Sequence, residues 1–375
     1  MRLLLVTQDF PPETGGIQSY MGNLARAIAP SCEDFAVVAP TSSKSSPEHD
    51  ASFGFPVQRI AIHSSWLVLP LLARLRGIAR AHGSTHVLYA QWFPALAGRL
   101  LPTSVKQAVI VHGRELLRHP LGSAGLALAG PTLARMDAVI PNSRHTASLL
   151  PPAVASDRVH VVHPGVDAVR FAPPSPESVA SLRVRLGIAP DAPVVSCLTR
   201  LVPRKGVDTL VDSARILRER VPNAVVLIGG SGPDRPRIED RIRQSGAGDA
   251  IRLVGRVPDE DLSAFLSLGV FALLSREEPR DVEGFGMVLA EAQSCGAPVV
   301  AARSGGMPEA VGPGAGTVVS PDDPSAAADA FVELLNPERR AACAQAGIAH
   351  AATLGWDSRA REIADILQGT AAKNF

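Results

Sequence analysis

The sequence predicts an α/β fold: two successive doubly wound parallel-sheet domains. Short continuous apolar runs of four to seven residues, the pattern of strands buried on both faces, recur along the chain. Helical stretches fall between several of them, and strands alternating with helices make a parallel sheet. The series restarts after the Pro-rich segment 171–176, the best linker in the chain, so the pattern occurs twice.

In the first half, strands are expected at 3–7, 35–39, 57–62, 85–90, 107–111 and 138–141, with another at 159–162. The turn after the first strand ends in Gly15-Gly16 and runs into a helical pattern over 17–28. Strand, Gly-rich turn and helix form the phosphate-binding arrangement of α/β folds, although two glycines also suit a plain turn into a helix. No G-x-G-x-x-G is present here, which removes support from a nicotinamide or flavin site. The strand at 107–111 ends in His112-Gly113, and a His at a strand's carboxyl end faces the ligand crevice. A structural His bonded to backbone is the alternative. The segment 68–82, with Leu67 just before it, carries Leu71, Leu72, Leu75 and Ile78 beside Arg74, Arg76 and Arg80. It fits a helix lying on anionic lipid, and it fits an ordinary surface helix, which is the preferred reading.

In the second half, strands are expected at 193–199, 224–229, 251–254, 270–274, 298–302 and 314–319, and two helices close the chain, the last at 358–367. The domains are read as 1–167 and 168–356, with the helix at about 357–375 packing back on the first. Four ligand-type features end strands here: Arg200 with Lys205, the loop 229–232, the stretch 281–291, and Gly305-Gly306-Met307-Pro308-Glu309. The stretch 281–291 is the centre of the set. Gly284 and Gly286 leave backbone amides uncovered where a helix starts, which makes an anion site. Glu283 and Glu291 flank it, and carboxylates accept hydrogen bonds from sugar or ribose hydroxyls. Two glutamates at this spacing are a weak motif by themselves; the glycines between them and the strands on either side supply the context. Arg200 and Lys205 place two cations where a diphosphate can be neutralised.

Composition narrows the function. Hydrophobic content of 46% indicates a folded chain, and a net charge of +1 gives no bulk attraction to nucleic acid. Residues 1–167 hold 14 Lys and Arg against 10 Asp and Glu, while 168–375 hold 23 against 26, so the first half is mildly basic. Four scattered cysteines, an N-terminal apolar run too short for a signal peptide and no apolar run of membrane length point to the cytoplasm, with room for a peripheral contact at the inner face of the membrane.

The motifs Pro12-Glu13-Thr14-Gly15-Gly16-Ile17-Gln18, His112-Gly113, Pro141-Asn142-Ser143, Pro164-Gly165-Val166-Asp167, the run 199–206, the stretch 283–291 and Ser304-Gly305-Gly306-Met307-Pro308-Glu309 together resemble glycosyltransferase family 4, over essentially the whole chain. Within it, Asp9-Phe10-Pro11-Pro12, the runs 15–20 and 200–206, and Asp281-Val282-Glu283-Gly284 are most similar to bacterial mannosyltransferases acting on phosphatidylinositol mannoside. The resemblance implies the GT-B fold, two Rossmann-like doubly wound domains facing a cleft, and retaining, metal-independent transfer of a hexose, mannose favoured, from a nucleotide-diphosphate sugar to a lipid-linked or glycan acceptor. GDP-mannose is favoured over a UDP-sugar as donor, and no cofactor is implied. Arg200 and Lys205 would hold the diphosphate, Glu291 the ribose and Glu283 the donor sugar. The amides of Gly284, Phe285, Gly286, Met287 and Val288 would meet sugar and phosphate. Gly15 and Gly16 would approach the diphosphate, and His112 would sit by the reaction centre. The run 114–119 departs from the lipid-acting relatives, which leaves the acceptor open. A non-catalytic sugar-nucleotide-binding scaffold and a sugar-nucleotide epimerase are the alternatives.

Overall fold

The computed structural model describes residues 1–61, 68–119 and 122–370. Position 62 of the third expected strand, Leu67 and positions 371–375 of the expected last helix lie outside them. The chain divides into two compact units, Met1–Gly165 with the segment from Trp356 onward, and Val166–Gly355.

The first unit is built on a sheet of β1 (Arg2–Val6), β2 (Asp34–Pro40), β3 (Val57–Ile60), β4 (His86–Tyr89), β5 (Lys106–Val111) and β6 (Ala138–Pro141). All its pairings are parallel, in the order β3-β2-β1-β4-β5-β6. Leu3, Leu4, Leu5 and Val6 of β1 are all buried, so the strand shows no polar alternation: helices cover both faces. The second unit repeats the plan with β7 (Val194–Leu198), β8 (Val225–Gly229), β9 (Ile251–Gly255), β10 (Val270–Leu273), β11 (Val299–Ala302) and β12 (Gly316–Val319), again all parallel, in the order β12-β11-β10-β7-β8-β9. In each sheet the order reverses beside the first strand, between β1 and β4 and between β7 and β10. Open α/β sheets bind ligands outside the strands' carboxyl ends at such a point.

Two expectations need correction. Residues 159–162 do not form a regular strand. Val159 makes one isolated bridge to Val139, and His160 and Val162 donate backbone bonds to Val139 and Pro141 of β6. Pro164, with no N–H to donate, then ends the pairing. The Pro-rich segment 171–176 is not where the chain passes between units; that passage lies at Gly165/Val166 and again at Gly355/Trp356. Phe171 is buried in the second unit, and its carbonyl accepts from the Cys295 thiol.

Trp356 opens the last helix, Trp356–Gln368, which packs on the helix Gly16–Ile28 of the first unit. Its ring meets Tyr20 edge-on with centroids 5.1 Å apart and covers Gly165, where an added Cβ would lie 2.4 Å from the indole. Trp356→Ala leaves a large cavity there and is expected to cost about 3 kcal/mol. A fall in the thermal midpoint of the protein, followed by circular dichroism, checks this; an unchanged midpoint refutes the packing role.

Candidate active site

At the carboxyl edge of the second sheet, glycines let neighbouring loops touch backbone to backbone. Gly206, at φ 63°, lies against Leu274, and an added Cβ would stand 1.9 Å from the Leu274 carbonyl oxygen. At Gly230, φ 116°, an added Cβ would stand 1.8 Å from the Thr199 carbonyl oxygen. At Gly305, φ 56°, a Cβ would be 2.2 Å from the Glu283 oxygen. The loops after β7, β8, β10 and β11 therefore form one contiguous cluster.

Into this cluster the turn Pro203–Lys205 delivers two cations. Arg204 is buried; its Nη1 donates to Glu283 Oε2 at 2.8 Å, and its Nε lies 3.2 Å from Asp281 Oδ1. Lys205 Nζ donates to the same Glu283 Oε2 at 2.5 Å. Burial alone would raise the Glu283 pKa, but Lys205 and Arg204 outweigh it and hold the carboxyl at about 2. Its main chain is fixed as well. Gly306 N–H donates to the Glu283 carbonyl at 2.9 Å, and Gly305 N–H donates to Glu277 Oε1 at 2.8 Å. Arg200 stands exposed beyond the end of β7 and enters none of these ion pairs.

Gly286, at φ 86°, caps the helix Met287–Ser294 with no side-chain cap. The Met287 and Val288 amides at its start have no intrahelical partner, because a helix's first N–H groups never do. Val282 and Phe285 anchor the loop in the core, while Gly284, Met287 and Val288 stay partly exposed. Glu291 follows one turn into the helix. Burial pushes its carboxyl up to about 7; Arg170 opposes this and Asp167 adds to it.

In the first unit, Gly15 is extended and Gly16 opens the helix Gly16–Ile28. A Cβ on Gly15 would strike Gln18 Oε1 at 2.3 Å, whereas one on Gly16 would meet nothing within 4 Å. Gln18 and Gln91 donate to Asp9 Oδ1 and Oδ2 at 2.7 and 2.9 Å. Burial raises the Asp9 pKa, against the pull of Gln91, His112 and Arg114. His112, buried at the end of β5, has Nε2 2.9 Å from the Ala90 carbonyl oxygen. A carbonyl only accepts, so Nε2 carries the proton. Its backbone N–H donates to Glu115 Oε1 at 2.6 Å, and Tyr20 meets its ring edge-on.

Thus Lys205 and Glu283 are in direct contact, Arg200 and Glu291 stand apart from that contact, and Gly15, Gly16 and His112 belong to the other unit. Arg204, Asp281 and Asp9 are not among the residues the sequence nominates. The alternation of Asp281 and Glu283, in a chain that also carries Arg204 beside Lys205, is the signal that could have found the first two. Among the described residues no group of three His, Cys, Asp or Glu side chains converges as a metal site would.

Two family models cover most of the chain: Glycosyltransferase Family 4 matches residues 14–170, and Glycosyl transferases group 1 matches residues 178–350. A GDP-mannose-dependent alpha-(1-6)-phosphatidylinositol monomannoside mannosyltransferase of Mycolicibacterium smegmatis is 36% identical over 98% of both chains. The chain belongs to glycosyltransferase family 4. A second relative, the protein of the same name from Mycobacterium tuberculosis, is 35% identical over 98% of both chains. Anabaena HepE, solved in complex with UDP, has the same fold: TM-score 0.81 at 22% identity, over 98% of this chain and 100% of that one. This glycosyltransferase therefore has the GT-B fold and uses a nucleotide sugar.

Glu283→Gln keeps the shape but leaves two buried cations under-compensated, at an expected cost of about 3 kcal/mol at neutral pH. Because the folded pKa of about 2 lies below the usual 4.5, the wild-type advantage is present above pH 4.5 and fades as pH falls toward 2. Urea unfolding of both proteins from neutral pH down toward the folded pKa checks this. A gap that stays constant with pH refutes the ion-pair account.

Proposed function

We propose that this glycosyltransferase moves mannose from GDP-mannose to a phosphatidylinositol mannoside-type glycolipid, with retention and without a metal. The observation that carries this reading is the 36% identity, over 98% of both chains, with an enzyme named for that donor and acceptor. The site chemistry supports it. Leaving-group charge grows on the diphosphate as the glycosidic bond breaks, and fixed cations and amides stabilise that charge more in the transition state than in the ground state. Arg200, Lys205 and the amides from Gly284 to Val288 are assigned this task.

Glu283 Oε2 receives both cations, which leaves Oε1 for a hydroxyl of the donor sugar. A carboxylate held at about 2 is a weak base and a weak nucleophile. This favours front-face displacement, in which the departing phosphate oxygen takes the acceptor's proton, over a covalent sugar intermediate on Glu283. Glu291 is assigned to the ribose, Gly15 and Gly16 to the diphosphate, and His112 to the donor sugar. The helix Val68–His82 turns its apolar side, with Leu71 and Leu75, into the core of its own unit, which favours the ordinary surface helix over one sunk in lipid; a peripheral contact with anionic lipid at the inner face of the membrane is left to the exposed Arg74, Arg76 and Arg80. No helix among the described residues is long and apolar enough to cross a membrane.

The test is turnover of GDP-mannose and UDP-glucose with phosphatidylinositol monomannoside in EDTA, with the product anomer read by NMR. An α-mannoside from GDP-mannose is expected. Transfer only from UDP-glucose, an inverted anomer or a metal requirement would each remove the corresponding part. Binding without turnover would mean a scaffold, and an altered sugar without acceptor an epimerase.

Arg200→Ala and Lys205→Ala should each lower kcat/KM by about thirtyfold or more, since each removes a phosphate counter-charge worth roughly 2 kcal/mol. Gly16→Ala faces open space in the fold, so the thermal midpoint should hold or rise while the donor KM rises. An unchanged KM would remove Gly16 from the donor site. Ribose hydroxyls donate to an ionised Glu291, so GDP affinity should strengthen as pH rises through about 7, by up to about tenfold more than in Glu291→Gln. Parallel pH profiles for the two proteins would sink the ribose assignment.

A further inference from the structure

We infer that Arg276 is a positioning residue for the donor diphosphate, acting through the turn that carries Lys205; this rests on the reading that Lys205 holds the diphosphate. Arg276 follows β10 and grips that turn on both flanks. On one side its backbone N–H donates to the Arg204 carbonyl at 2.8 Å. On the other its Nη2 donates to Asp208 Oδ1 at 2.6 Å and to Thr209 Oγ1 at 3.1 Å, with Nη1 3.3 Å from Asp208 Oδ2. Lys205 and Gly206 lie between these two anchors. Gly206 cannot retreat toward β10, because the Leu274 carbonyl already occupies the space a Cβ would need.

The grip is itself braced. Arg237 Nη1 donates to Asp208 Oδ2 at 2.9 Å, and Asp234 holds Arg237 through two bonds of 2.7 and 2.6 Å. Arg276 Nη2 also lies 2.8 Å from Asp322 Oδ1. The series Asp234, Arg237, Asp208, Arg276, Asp322 ties together the stretches that follow β8, β7, β10 and β12. Planar forks fix orientation as well as charge, which a single lysine ammonium cannot do. The Asp208 and Arg276 side chains are 16% and 24% exposed, so water screens their pair only in part. The network thus sets where the Lys205 ammonium stands, and its effect belongs to the second phosphate of the donor rather than to the nucleoside.

A brace with a purely structural role would weaken every nucleotide alike; a positioning role alters the preference for diphosphate over monophosphate. Calorimetric binding of GDP and GMP separates the two, in wild type, Arg276→Gln, Arg276→Lys and Arg241→Gln. Arg241 pairs with Asp212 across the helices Val207–Arg220 and Arg235–Gln244, which also carry Asp208 and Arg237, but it does not touch the turn. Arg276→Gln is expected to weaken GDP binding by about tenfold while changing GMP binding less than about twofold, and Arg276→Lys should fall between. Arg241→Gln should leave both constants unchanged. Equal losses for GDP and GMP, or no loss, overturn the inference. If Arg276→Gln does not fold, Arg276→Lys decides: a lowered GDP-over-GMP preference supports it, and an unchanged preference overturns it. A wild-type protein that binds GDP no better than GMP removes the assignment of Lys205 to the diphosphate, and the inference with it.

Discussion

One carboxylate oxygen, Glu283 Oε2, receives Arg204 and Lys205 together, and the rest of the candidate site is arranged around that contact. Two cations brought this close repel unless an anion lies between them, and an anion buried beside them keeps its charge only because they are there. Each partner makes the other tolerable, which is why the carboxyl sits near 2 despite burial that would raise it. The contact also links the loop after β7 to the loop after β10, across the point where the strand order reverses.

Holding those loops together demands close backbone approach. Gly206 and Gly305 stand where a side chain would collide with a carbonyl oxygen of the neighbouring loop, and both have positive φ. Their freedom places Lys205 and fixes the Glu283 main chain, so local backbone permissiveness becomes site geometry. The helix Met287–Ser294 adds unpaired amides a few residues further on. Fixed cations, fixed amides and a fixed anion give a site whose charges are held in place before any ligand arrives. Glu291 contrasts with Glu283: both are carboxylates of one loop and helix, yet burial that Arg170 offsets only in part sends one up to about 7, while two directly paired cations hold the other at about 2.

The strands were largely legible in the sequence because parallel strands buried on both faces read as unbroken apolar runs. β6 coincides with its expected span, and β1, expected at 3–7, runs from Arg2 to Val6. The segment 159–162 misled because an apolar run cannot show that its pairing stops at a proline, and 171–176 misled because proline content marks stiffness as well as linkers. The glycine-rich turns were legible too, since few other residues allow such turns. The grouping of loops at one sheet edge followed from alternation alone.

By itself, then, the sequence determined the two parallel sheets, the loops that end their strands and the family to which the chain belongs, because these rest on local periodicity and on motifs of contiguous residues. Which charges meet was decided by the tertiary structure. Arg200 and Arg204 are two arginines of one short run, and nothing in their neighbours tells them apart; folding leaves the first exposed and buries the second against a glutamate 79 residues away. The carboxyl shifts of Glu283 and Glu291, the clasp of Asp9 between two glutamines and the hold of Arg276 on the Lys205 turn arise in the same way. Electrostatic energy depends on distance and on exclusion of water, and both are properties of the packed chain.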